Sequence, residues 1–91
     1  STNTKDAKNS LAFNVFPNPA SDVINIQLSS DEASVMTIEL FDTTGKLIES
    51  VSRNNFGNAI TTIPTAELAK GVYIVKVTSN GFAGTQKVIL N

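Results

Sequence analysis

The stretch VYIVKVTSNGFAGTQKVIL, residues 72–90, decides the fold class. Val72 to Thr78 alternates along a β-rich run, Asn80-Gly81 is the pair preferred at a type I′ turn, and Thr85 to Leu90 returns as a second apolar run. Such a segment predicts an antiparallel hairpin. Working back from it, the same punctuation recurs at short intervals. Val23 to Leu28 sets Ile24, Ile26 and Leu28 against Asn25 and Gln27, a period of two that turns one face to the core and the other to water. Val35 to Phe41 repeats the pattern, with Met36, Ile38 and Leu40 on one side and Thr37 and Glu39 on the other. Asp42-Thr43-Thr44-Gly45-Lys46 follows, where Asp bonds local backbone and Gly accepts a positive φ, so the chain turns into Leu47 to Val51.

The remaining segments fill in a sandwich. Phe13 to Phe16 reads as a short first strand stopped by the stiff turn Pro17-Asn18-Pro19, because proline donates no ladder hydrogen bond and holds its predecessor extended. Arg53 to Asn58 reads as a polar loop around Phe56, Ala59 to Ile63 as a strand ended by Pro64, and Thr65 to Leu68 as a single helical turn before Gly71. The total is about seven short strands, which predicts an all-β, immunoglobulin-like antiparallel β-sandwich with Greek-key connections. Tyr73 stands just past a corner at the start of a strand, where its hydroxyl can bond backbone a few residues upstream. Ser1 to Ser10 is polar and aperiodic and is expected to be a flexible linker, with the domain occupying residues 11–91. Those first residues lack the apolar core of a secretory signal.

Composition removes most chemistry. With no Cys and no His, the chain offers no thiol nucleophile, no imidazole base and few ligands for zinc or copper. A net charge of −1 with dispersed cations gives no footprint for nucleic acid, and no apolar run nears the roughly 20 residues needed to span a bilayer. Gly45-Lys46 matches only the end of a phosphate loop, since Leu40 and Leu47 stand where Gly and Ser or Thr belong. Asp22, Asp31, Glu32 and Asp42 lack calcium-loop spacing and read as solvated turn carboxylates. Neither catalysis nor a cofactor is expected. Phe41 and Tyr73 are assigned to the core, while Phe56 and Phe82, in or beside loops, leave open an alternative role as a cell-surface carbohydrate-binding or adhesion module.

Three segments, in order, carry a family resemblance. Phe16-Pro17-Asn18-Pro19-Ala20-Ser21-Asp22 runs into Val23-Ile24-Asn25-Ile26; Ile38-Glu39-Leu40-Phe41-Asp42 precedes Gly45-Lys46 and Leu47-Ile48; Leu68-Ala69-Lys70-Gly71-Val72-Tyr73-Ile74-Val75-Lys76-Val77 is followed by Gln86-Lys87-Val88-Ile89-Leu90. Together they resemble the type A C-terminal sorting domain of the type IX secretion system (the Por secretion system) of Bacteroidota. The match spans Leu11 to Asn91, with one departure: such domains end in a basic residue where this sequence has Asn91.

The resemblance implies a label on a larger cargo protein in the same precursor. The cargo reaches the periplasm by its own signal, crosses the outer membrane through the type IX translocon, and is released or held at the cell surface after a sortase-like peptidase removes the domain. Cleavage is expected in or near Ser1 to Ala12. For translocon recognition the expected residues are Gly45 and Lys46 in the turn, Gly71 and Tyr73 at the corner, and Lys87, Val88, Ile89 and Leu90 in the final strand. That strand is expected to lie at a sheet edge, offering unpaired amides and carbonyls to a partner strand. No membrane insertion is expected, and the same edge makes a homodimer by exchange of the terminal hairpin conceivable.

Overall fold

The computed structural model describes residues 13–28, 30–57, 60–79 and 81–91; for residues 30–34 and 55–57 it describes the backbone. Among the described residues seven strands follow one another: β1 (Asn14–Phe16), β2 (Val23–Gln27), β3 (Ser30–Asp42), β4 (Leu47–Gly57), β5 (Ile60–Pro64), β6 (Gly71–Ser79) and β7 (Phe82–Leu90). They form a three-stranded sheet in the order β1-β2-β5 and a four-stranded sheet in the order β4-β3-β6-β7. All strand pairings are antiparallel. The chain crosses between sheets after β2, β4 and β5, the immunoglobulin-like plan.

The alternation seen in the sequence is what closes the sandwich. Ile24, Ile26 and Leu28 from one sheet meet Met36, Ile38, Leu40, Tyr73, Val75, Val77, Val88 and Leu90 from the other, all buried, with Ile63, Phe13 and Ala20 completing the core. Full burial of side chains of this size contributes about 1.5–3 kcal/mol each, so the inner faces hold the two sheets together.

Several features differ from expectation. β3 and β4 are not short: they have 13 and 11 residues. The segment expected as a polar loop, Arg53 to Asn58, continues β4 as far as Gly57; Asn58 lies outside the described residues, as does the Phe56 side chain. A polar run mimics a loop, but on an edge strand solvent meets the backbone edge and one face, so Ser52, Arg53 and Asn54 extend without desolvation. Pro64 belongs to β5 rather than ending it, which an outermost strand tolerates. Finally, Phe41 is half-buried and stands apart from the core cluster: opposite Ile74 and one residue past buried Leu40, it faces outward.

The corner forms as expected. The Tyr73 hydroxyl donates to the Ala69 carbonyl oxygen at 2.5 Å, tying the start of β6 to the turn that precedes it. That turn is itself closed by the Leu68 N–H donating to the Thr65 carbonyl at 3.0 Å. Tyr73→Phe keeps the ring packing and removes the hydroxyl. It should cost about 1–2 kcal/mol, read as a fall in Tm of roughly 5–15 °C for a domain of this size.

Candidate functional site

The residues singled out by sequence come together at one end of the four-stranded sheet. The register runs Leu47 opposite Phe41, Phe41 opposite Ile74 and Ile74 opposite Lys87, forming one row across all four strands. Next to it Asp42 pairs with Tyr73 and Tyr73 with Val88; beyond these Val72 pairs with Ile89 and Gly71 with Leu90. The β3–β4 turn, the start of β6 and the end of β7 therefore lie within about 14 Å across the sheet, neighbouring strands being about 4.8 Å apart.

Asp42 builds the turn. One carboxylate oxygen, Oδ1, accepts from the Thr44 hydroxyl at 2.6 Å, the Thr44 N–H at 2.9 Å and the Lys46 N–H at 3.0 Å. The Asp42 backbone accepts from Gly45 N–H and donates to the Lys46 carbonyl, both at 3.0 Å. Gly45 adopts φ 89° with open space around it, so glycine is required by the backbone rather than by a neighbour. Gly71, at φ 148°, answers to the same requirement. The Thr44 hydroxyl first, then the Lys46 N–H, lowers the Asp42 pKa below its ordinary 3.8. A depressed carboxylate stabilises the fold above its unfolded pKa, and the contribution disappears as pH falls through the folded value. Thermal stability of the wild type should therefore drop more than that of Asp42→Asn when pH is taken from neutral to well below 3.8, as thermal melts at both values will show.

The eight expected recognition residues divide by burial. Tyr73, Val88 and Leu90 face the core, with Val88 at 0% exposure and Leu90 at 3%. Gly45, Lys46, Lys87 and Ile89 face solvent, and Gly71 is half-buried. Sequence reasoning missed their apolar surroundings: on the same outer face Leu47 is 47% exposed and Val72 38%, with Phe41 and Ile74 half-buried between them. The signal was present, because the triplets Tyr73-Ile74-Val75 and Val88-Ile89-Leu90 are apolar on both faces of their strands.

β7 is an edge strand, as expected, but its edge is not bare. The turn Pro17-Asn18-Pro19 lies against it, with both Xaa-Pro bonds cis. The Asn18 carboxamide donates from Nδ2 to the Lys87 carbonyl at 3.2 Å and accepts at Oδ1 from the Ile89 N–H at 3.1 Å. Ala20 N–H donates to the Ile89 carbonyl at 2.8 Å, and Asn91 N–H donates to the Ala20 carbonyl at 2.7 Å, a short parallel bridge. The Gln86 amide also donates to the Phe13 carbonyl. The expectation of unpaired amides and carbonyls through Lys87 to Leu90 is corrected accordingly: a side-chain amide has the donor and acceptor of a peptide unit, so Asn18 stands in for a neighbouring strand.

Among the described residues no cavity opens, and no three potential metal ligands gather. What the described residues present is a surface, a patterned sheet end on an immunoglobulin-like sandwich. Residues 14–91 match the family model described as the secretion system C-terminal sorting domain, and the chain belongs to that family, the sorting domains of the type IX secretion system. Its members are sorting signals and not enzymes, carried on larger precursors that are exported through the outer membrane to the cell surface. No curated protein matches the chain in sequence. Among solved structures it is similar to part of the crystal structure of dimeric latent PorU from Porphyromonas gingivalis, with a TM-score of 0.71 and 18% identity. The likeness covers 86% of this chain and 9% of that one, and carries the fold alone.

Proposed function

We propose that this domain, with its boundary near residue 11, delivers a larger N-terminal cargo from the periplasm through the outer-membrane type IX translocon. The translocon docks on the outer face of the four-stranded sheet at the Asp42 turn end. Lys46, Lys87 and Ile89 make direct contact there, beside Leu47 and Val72. Gly45, Gly71, Tyr73, Val88 and Leu90 act by holding that surface in shape. After transit a sortase-like peptidase cuts within or near residues 1–12, freeing the cargo or leaving it at the cell surface.

The observation that carries this reading is the convergence of three segments, distant in sequence, on one end of the outer face of the four-stranded sheet. Family membership supplies the export route. A folded reporter bearing a periplasmic signal and followed by residues 11–91 tests it. The reporter should appear outside the outer membrane of a host with a type IX system, and quantitative retention in the periplasm would refute the reading.

A further inference from the structure

The four-stranded sheet has a second edge, on β4, which among the described residues is bonded to β3 alone. It differs from the β7 edge, whose terminal groups are occupied by Asn18 and Ala20. With 11 residues it is also longer than β1 or β5, of 3 and 5 residues, at the edges of the other sheet. A long strand edge is a template for a further strand, so its side chains indicate what can pair there.

Consider the edge meeting a second copy of itself about a two-fold axis. In an antiparallel pairing residues opposite each other share a face, so the axis must pass through a single residue of β4. Centred on Ser50, the register sets Glu49 against Val51; centred on Ser52, it sets Arg53 against Val51. Centred on Val51, it sets Glu49 against Arg53 of the second copy twice over, Ser50 against Ser52 twice, and Val51 against itself. Among the three, this register alone matches opposite charges and like polarity at every position from Glu49 to Arg53.

The local structure fits that arrangement. Glu49, Val51 and Arg53 stand on the inner side of the sheet, opposite Leu40, Ile38 and Met36. Val51 is half-buried against the core rim, whereas Ser50, Ser52 and Arg53 are exposed. Among the described residues neither Glu49 nor Arg53 has an ion-pair partner; the Arg53 guanidinium instead folds onto the Ser52 carbonyl at 2.9 Å. In the single chain that contact occupies the guanidinium, and a carboxylate from a second copy would replace it.

We propose that the β4 edge is a self-association surface. Two copies pair antiparallel through Glu49 to Arg53, centred on Val51, and join their four-stranded sheets into one of eight strands. The charges specify the register, because opposite charges directly across an antiparallel pair stabilise it and like charges there destabilise it.

Sedimentation velocity on residues 1–91 across a concentration series tests the proposal. The wild type should dimerise reversibly. Glu49→Arg alone and Arg53→Glu alone should each weaken dimerisation about tenfold or more, since either places like charges together twice. Mixing these two variants should restore it, because every cross-strand pair is then opposite in charge. Cysteine placement reads the register on exposed positions, where folding is not at stake. Under mild oxidation Ser50→Cys mixed with Ser52→Cys should form a disulfide-linked dimer, and neither should do so efficiently alone. A wild type that stays monomeric into the millimolar range would overturn the proposal. So would a dimer indifferent to both charge reversals, or equal cross-linking of Ser50→Cys with itself.

Discussion

Removing Lys87–Asn91 is expected to unfold the domain and abolish export together. The deletion takes two fully packed side chains, Val88 and Leu90, from the core, worth about 3–6 kcal/mol between them. It also strips the end of the β6–β7 ladder and leaves Asn18 and Ala20 without the strand they bond. A domain of this size is held by about 5–10 kcal/mol in all. The truncated chain should show no cooperative thermal transition, and a reporter fused to it should remain in the periplasm. A truncated chain with near-native melting would mean that the last turn of β7 is not part of the core as described.

Because that deletion acts through stability, the second prediction separates recognition from folding. Lys87→Glu, alone and with Lys46→Gln, changes exposed side chains whose backbone bonds stay in place. Stability should shift by no more than about 0.5 kcal/mol. Export should fall about tenfold or more, since reversing a charge beside an apolar contact surface lowers encounter and fit with a complementary partner. A domain that folds as before and is exported at the wild-type rate would remove the two lysines from the proposed contact.

Much of the architecture was legible because its causes are local. A period of two in Ile24, Ile26 and Leu28, and again in Met36, Ile38 and Leu40, names the inner faces directly. The Asp42 turn was legible for the same reason, a short side chain bonding amides two and four residues on. The Tyr73 corner spans four residues and was equally near at hand. What stayed hidden depends on pairing across the chain. Asn18 lies 69 and 71 residues from the groups it bonds on β7, and nothing within Pro17-Asn18-Pro19 shows that its carboxamide will occupy a sheet edge. The continuation of β4 past Val51 was hidden by polarity, since Ser52, Arg53 and Asn54 look the same on an edge strand as in a loop. The exposed apolar patch was half visible: Ile89 was chosen, but Val72 beside it and Leu47 farther across the same face join it only once the register sets four strands side by side.

This sandwich is proposed as an address read by the type IX translocon. Its most direct test compares one reporter fusion in two hosts that differ only in having or lacking a working translocon, with protease access to the reporter in intact cells as the readout. An accessible reporter is expected in the first host and a fully shielded one in the second. Equal accessibility in the two hosts, or shielding in both while the domain is folded, would contradict it.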